Sequence, residues 1–73
     1  MVRAKFKCEE IVDNSEQNGS KIVLYPVTYG SEENEQFFNL TPYGRIEIGT
    51  VNLNAVKEFE VGKEYYVDFT KVE

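Results

Sequence analysis

The sequence contains no histidine and a single cysteine, Cys8, among its 73 residues. Without histidine, the chain lacks the most common general base and the most common nitrogen ligand for metals. One cysteine cannot form an intramolecular disulfide, and it cannot supply the several thiolates of a structural zinc site. A lone thiol without a neighbouring base is also a poor nucleophile. We therefore predict that the protein is not an enzyme and has no catalytic residues, no metal ligands and no cofactor.

Long apolar runs and glycine-rich segments are missing as well. Ile22, Val23 and Leu24 form the longest aliphatic run, so we expect no segment to span a membrane. The first residues alternate charged with apolar side chains, so we expect no signal peptide. The unpaired cysteine suits a reducing compartment, and a cytoplasmic location is predicted. The 5 glycines are scattered singly, so the sequence has no glycine-rich loop that would cradle a phosphate.

Negative charge dominates the composition. The chain has 13 acidic and 8 basic residues, and its formal net charge is -5. Phosphates repel an acidic protein unless its basic residues are gathered on one face. Aromatic residues make up 14% of the chain, which gives so short a sequence enough apolar area for one thin core. We therefore predict a single domain over residues 1–73.

Alternation of apolar and polar residues predicts four β-strands. The predicted strands cover residues 2–8, 21–29, 45–51 and 64–72. A β-bulge near Glu9 would absorb a slip in the first pattern. The polar loop 13–20 contains the turn dipeptide Asn18-Gly19 and is expected to join the first two strands as a hairpin. Pro26 cannot donate to a strand ladder, so its half of the second strand is expected at an edge or a bulge.

Two short helical turns are predicted between the strands. Ser31 is a typical helix N-cap, and the acids that follow it suit the positive end of a helix dipole. Those acids are Glu32, Glu33 and Glu35, which we interpret as capping residues and not as a cation site. Asn52 or Asn54 is expected to cap the second helix, and residues 41–44 form a predicted turn. The apolar side chains expected to pack from the two helical regions are those of Phe37, Phe38, Leu40, Leu53, Val56 and Phe59.

The predicted fold is mainly β: a small, curled antiparallel sheet or partly open barrel of four to five strands, with one or two short helical turns. An oligonucleotide-binding-like barrel is one version of this fold, although it normally has five strands. Cys8 belongs to the inward-facing series of the first strand, so we expect it to be buried. In the last strand, Tyr65, Val67 and Phe69 are expected to face the core, and Tyr66, Asp68 and Thr70 the solvent.

The candidate binding surface combines a basic stripe with tyrosines: Arg3, Lys5, Lys7, Tyr29, Tyr43 and Tyr66. The three basic residues share one face of the first strand, at a spacing of about 7 Å that follows phosphates along a nucleic-acid backbone. Tyr66 would add a stacking ring if the first and last strands pair. Alternatively, the stripe is a solvated outer face whose lysines discourage aggregation. Exposed tyrosines are typical of protein-binding surfaces, but their rings could equally close the barrel ends.

Several segments resemble small proteins encoded in bacteriophage and prophage genomes. They are residues 3–8, 31–34, 37–38, 41–44 and 62–70, and the resemblance extends from one end of the chain nearly to the other. The most specific of them is the closing run Gly-Lys-Glu-Tyr-Tyr-Val-Asp-Phe-Thr. The resemblance implies a phage origin, and with it a location in the cytoplasm of a bacterial host. It supplies no catalytic residues.

Three classes of function follow from these expectations. The first is a non-catalytic protein that inhibits a host factor, such as one of antiviral defence, through protein–protein contact. The second is a protein that binds or sequesters a nucleotide signal or a short single strand of nucleic acid. The third is a minor structural or assembly component of the virion. The expected partner is a host or phage protein, and the edge strand near Pro26 and the tyrosine-rich surface also permit a symmetric homodimer.

Overall fold

A computed structural model of the chain describes residues 2–13, 19–28, 30–38 and 43–73. Its elements in chain order are β1 (Val2–Val12), β2 (Ser20–Pro26), α1 (Glu32–Phe38), β3 (Ile46–Thr50), α2 (Leu53–Val56) and β4 (Glu64–Phe69). The strands form one antiparallel sheet in the order β3-β2-β1-β4. The predicted mainly β fold, with a curled antiparallel sheet and two short helices, is confirmed.

The strand boundaries differ from the predicted ones at several points. β1 continues to Val12, because a bulge between Cys8 and Glu10 restores its pairing with β2, and this confirms the bulge expected near Glu9. β4 ends at Phe69 and not at residue 72, because Phe69 already pairs with Val2, the first described residue of β1. β3 is shorter than predicted by one residue at each end.

The second strand stops at Pro26, where a run to residue 29 was predicted. Pairing of β2 with β3 reaches only as far as Leu24 and Ile46, so Pro26 lies beyond the end of β3, as expected for a residue that cannot donate to a ladder. One backbone hydrogen bond continues the β1–β2 contact past the proline, from Val27 N to Lys5 O at 3.0 Å.

The side chain of Asn34 completes this end of the sheet. Its Oδ1 accepts a hydrogen bond from Lys5 N at 2.6 Å, and its Nδ2 donates to the carbonyl oxygens of Lys5 and Val27, both at 2.8 Å. A carboxamide has both an acceptor and two donors, so it can stand between two strand residues in place of a direct backbone bond. Asn34 is only 2% exposed, and it therefore fixes α1 against β1 and β2.

Ser31 caps α1, as predicted. Its Oγ accepts a hydrogen bond from Asn34 N at 3.2 Å and donates one to Glu33 Oε1 at 2.9 Å. Glu33 also accepts from its own backbone amide, and this bond and the one from Ser31 lower the pKa of its carboxyl group. The cap places Asn34 in the first turn of the helix, where its side chain can reach the sheet.

The main core cluster lies on one face of the sheet. Its buried members are Ala4, Phe6, Cys8, Ile22 and Leu24, and partly buried side chains of both helices and of β4 pack against them. Val23, which alternates with Ile22 and Leu24, is also buried and is only 1% exposed. Burial of Cys8 is confirmed, and it raises the pKa of the thiol. Tyr65, Val67, Phe38, Val56 and Phe59 pack as predicted.

Several residues predicted to pack inside are exposed instead, among them Phe37, Leu53 and Phe69. Phe69 lies on the predicted face of the sheet, but it belongs to an edge strand and is 50% exposed. Phe37 stacks on Phe69, with ring centroids 6.3 Å apart, and does not close the core. Two short helices cannot cover a whole sheet face, so these apolar side chains remain at the surface. Leu40 lies outside the described residues.

The molecule is flat and has more surface than its mass requires. Its extents are 41 × 32 × 17 Å, and the radius of gyration of 13.5 Å compares with about 11 Å for a compact domain of this length. The accessible surface is 5713 Å², where about 4,600 Å² is usual for this mass. β3 and β4 border one apolar cleft of about 340 Å³, lined by side chains that include Ile46, Ile48 and Val67, and they do not pair with each other. The sheet is therefore a half-barrel whose seam is open.

Candidate functional site

The strand register gathers charged residues and tyrosines on the face of the sheet opposite the core. Along β1 and β4, Arg3 lies opposite Asp68, Lys5 opposite Tyr66, and Lys7 opposite Glu64. On the other side of β1, Lys7 lies opposite Tyr25 of β2. Residues directly opposite each other in an antiparallel pair point to the same face. These seven residues are called the tyrosine face: Arg3, Lys5, Lys7, Tyr25, Glu64, Tyr66 and Asp68.

Arg3 and Asp68 form a two-point ion pair across the strands. Arg3 Nε lies 2.6 Å from Asp68 Oδ1, and Arg3 Nη2 lies 3.0 Å from Asp68 Oδ2. This fork geometry is the one in which a guanidinium binds a carboxylate most specifically. The hydrogen bond with Asp68 raises the pKa of Arg3, and the same bond lowers the pKa of Asp68. The pair fixes the guanidinium in place. Asp68 occupies Nε and Nη2 of Arg3, the two nitrogens that a phosphate would otherwise bind.

The ring of Tyr66 lies close to two of the three cations of β1, Arg3 and Lys5. Its centroid is 4.7 Å from Arg3 Cζ and 5.5 Å from Lys5 Nζ, both within the range of cation–π attraction. Lys5 Nζ also lies 3.8 Å from Glu64 Oε1. The expected position of Tyr66 beside the basic stripe is confirmed, because the first and last strands do pair. Tyr66 is 54% exposed, so the residue remains accessible to a partner.

The charges of this face are nearly balanced. Arg3 and Lys5 are each close to a carboxylate of β4, while Lys7 forms no ion pair with any described residue. A surface that binds nucleic acid concentrates unpaired cations along its length. Here, two of the three cations of the stripe are offset by neighbouring acids. The structure thus favours a near-neutral aromatic surface over a phosphate-binding one.

The other two predicted tyrosines do not join this set. Tyr43 is 89% exposed and precedes β3, outside the β1–β4 ladder that builds the tyrosine face. Tyr29 lies outside the described residues. The sequence patterns did not single out Tyr25, Glu64 or Asp68 as part of a site. The alternation of the last strand predicts that Asp68 faces the solvent, but only the strand register shows that it lies opposite Arg3.

The ion pair between Arg3 and Asp68 predicts a pH dependence of stability. Because Asp68 has a lower pKa in the folded chain than its ordinary value of 3.8, its ionisation stabilises the fold above that value. This stabilisation is lost as the pH falls from 3.8 through the folded pKa. Both groups are exposed, so the expected effect is small. Urea unfolding between pH 2 and pH 7, compared for the wild type and Asp68→Asn, measures it.

In Asp68→Asn, the part of the pH dependence below 3.8 that belongs to this pair should disappear. Glu33→Gln serves as the matched control, because Glu33 has a lowered pKa from a different cause, the bonds at the start of α1. The pair would have no role in stability if Asp68→Asn and the wild type gave the same curves throughout.

Comparison with protein families, with curated proteins and with solved structures finds no match to this chain. Within the described parts of the chain, no helix is long and apolar enough to cross a membrane. The same residues contain no group of three or more acidic or cysteine side chains placed to hold a metal ion.

Proposed function

We propose that the chain is a non-catalytic, phage-encoded protein that binds another protein through the tyrosine face, and that it inhibits a factor of the bacterial host. The observation that carries the proposal is the exposed Tyr66 ring close to Arg3 and Lys5. Tyrosine and arginine are the residue types that most often dominate the energy of protein interfaces. The ion pair with Asp68 holds Arg3 in place, and Arg3 and Lys5 pack near the Tyr66 ring, so less rotamer entropy is lost when a partner binds.

The alternative of a nucleotide or single-strand binder has less support. Such a protein needs cations that are free to meet phosphates. Asp68 occupies two nitrogens of Arg3, and Glu64 lies near Lys5. A phosphate at this face would have to displace both acids or approach them against their charge. The net charge of -5 adds to this repulsion.

Affinity capture from host cells tests the proposal. The tagged wild type should retain a discrete host protein, and Tyr66→Ala should weaken that binding at least about tenfold, because truncating a central interface aromatic often costs about 2 kcal/mol or more. Tyr43→Ala is the matched control, since Tyr43 is exposed and lies off the tyrosine face. It should bind as the wild type does. Equal binding by all three proteins would count against the tyrosine face.

Thermal unfolding with added ligands separates the two classes. A ligand that binds the native state raises the melting temperature. We expect no rise with a panel of mono-, di- and cyclic nucleotides or with short single-stranded oligonucleotides. A rise that disappears in the double variant Arg3→Glu, Lys5→Glu would contradict the protein-binding proposal and support the nucleotide alternative.

A further inference from the structure

The outer edge of β4 is the second surface of interest. Lys5 turns its backbone amide and carbonyl toward the β2 side, where they bond Asn34 and Val27. Its partner Tyr66 therefore belongs to a pair that exchanges no backbone bonds with β1, and alternation gives Asp68 the same orientation. The N–H and C=O groups of these two residues point outward, away from the sheet. They form a strand edge that is ready to pair with another strand.

Apolar side chains lie along the same edge. Tyr65, Val67 and Phe69 form a row on the core side of β4. Next to the row are Val2 and Phe37, which are 47% and 44% exposed. An edge with an apolar row beside it favours association over solvation.

From this edge we infer that two copies of the chain form a symmetric dimer by antiparallel pairing of β4 with β4 of the second copy. A two-fold axis at Val67 places Tyr66 opposite Asp68 of the other copy, and their outward backbone groups can exchange hydrogen bonds. The same register places Phe69 opposite Tyr65 of the second copy, on the core side. The two sheets then become one continuous sheet of eight strands.

Charge selects this register from its neighbours. An axis at Tyr66 would place Glu64 opposite Asp68 of the second copy, and an axis at Asp68 would place two aspartates opposite each other. Like charges directly opposite on a sheet are destabilising. With the axis at Val67, each carboxylate faces an uncharged side chain. Asp68 is moreover already bound by Arg3 of its own chain, which weakens the protection that an acidic edge usually gives.

The large exposed area of a single copy also supports a second copy of the chain as the partner at the β4 edge. The chain exposes about 1,100 Å² more than its mass requires. A dimer interface of standard size buries about 600–1,000 Å² from each partner. An interface of that size at β4 would return the exposed area of each copy to nearly the usual value. It would also place two tyrosine faces side by side, although the dimer does not depend on their proposed function.

Sedimentation equilibrium of the full chain, made by chemical synthesis, tests the dimer. At about 100 µM the wild type should have twice the 8.4 kDa of one chain, a concentration at which a complex of micromolar Kd is formed. N-methylation of the Tyr66 amide removes one outward donor from each copy and leaves the β1 pairing intact. It should raise the Kd of the dimer at least about tenfold.

N-methylation at Glu47 is the matched control. Glu47 lies in β3, the opposite edge strand, between Ile46 and Ile48, whose backbone groups point toward β2. The Glu47 amide therefore points outward, as that of Tyr66 does, and its methylation should leave the dimer unchanged. A second pair of variants uses residues of similar exposure: Phe69→Lys should weaken the dimer, and Leu53→Lys should not.

Three results would overturn the inference. The wild type could be monomeric at every concentration. The dimer could persist with N-methylated Tyr66 and with Phe69→Lys, although both proteins retain the wild-type circular dichroism. Finally, the dimer could be lost only with N-methylated Glu47, in which case β3 and not β4 forms the interface.

Discussion

Replacing Asn34 with alanine is expected to lower the free energy of unfolding by about 2–5 kcal/mol, because each buried polar group left without a partner costs about 1–3 kcal/mol. The substitution removes three hydrogen bonds that join α1 to the sheet. It leaves Lys5 N and Val27 O without a partner, while Lys5 O still accepts from Val27 N. A domain of this size has only about 4–11 kcal/mol of stability, so the loss should be evident in urea unfolding.

Gln36→Ala is the matched control for this substitution. Gln36 is an amide-bearing residue of the same helix, but it is exposed. Its replacement should change the stability by no more than about 0.5 kcal/mol. Asn34→Asp adds a stricter comparison, since it keeps the volume and the acceptor but removes both donors. If Asn34→Ala were as stable as Gln36→Ala, the amide would not hold the sheet end together.

Replacing Gly19 with alanine is expected to destabilise the protein by about 2–5 kcal/mol, from overpacking together with a left-handed backbone. Gly19 has a φ of +85°, and a Cβ there would collide with the carbonyl oxygen of Thr50. It would also lie 2.8 Å from Thr50 C and 2.9 Å from Val51 Cα. These are backbone atoms, so the clash can be relieved only by a backbone shift at Gly19 or at Thr50 and Val51. Thermal unfolding measures the effect.

Gly30→Ala and Gly62→Ala separate the two causes. Both glycines have a positive φ, at 79° and 94°, but a Cβ at either position would meet no atom within 4 Å. Their replacement should cost only the conformational part, about 1–2 kcal/mol. A loss at Gly19 no larger than at these two positions would show that β3 does not pack against it closely.

The sequence contained enough information to predict the strands, because the period-two alternation of β1 and β4 is a local property. The slip at Glu9 predicted the bulge for the same reason. Other features depend on contacts that are distant in sequence. To predict that β2 ends at Pro26, one would need to know the contacts of Asn34, a residue in the first turn of α1. Its side chain bonds Lys5 N and Val27 O in place of a backbone partner. Its neighbour Ser31 was recognisable as a cap, but an exposed asparagine and a buried one look alike in a sequence.

The candidate site was predictable in part. Alternation placed Arg3, Lys5 and Tyr66 on outward faces, and pairing of the first and last strands brought them together. The neutralisation of the stripe was not predictable, because it depends on register. A shift of two residues would move Asp68 away from Arg3 and leave the guanidinium free for a phosphate. The structure therefore favours interpreting Arg3 and Lys5 as residues that pack beside the exposed Tyr66 ring, and not as part of a phosphate-binding row.

Exposure of the apolar residues could not be predicted either. Phe37, Leu53 and Phe69 follow patterns that are typical of core positions. Whether such residues are buried depends on how much of the sheet the helices cover, and the helices α1 and α2 are short. The proposed β4 dimer gives a physical reason for Phe37 and Phe69, which border that edge. It gives none for Leu53.

Site-specific photo-cross-linking tests the central claim, that the tyrosine face binds a protein, most directly. A benzophenone amino acid replaces Tyr25, Lys7 or Val61 in separate variants, and Tyr66 is left intact. Val61 is exposed and lies off the tyrosine face. On irradiation in host cells, positions 25 and 7 should both give the same discrete cross-linked host protein, position 61 should not, and adding Tyr66→Ala should abolish the product. Cross-links that are equal at all three positions, or that contain nucleic acid instead of protein, would contradict the claim.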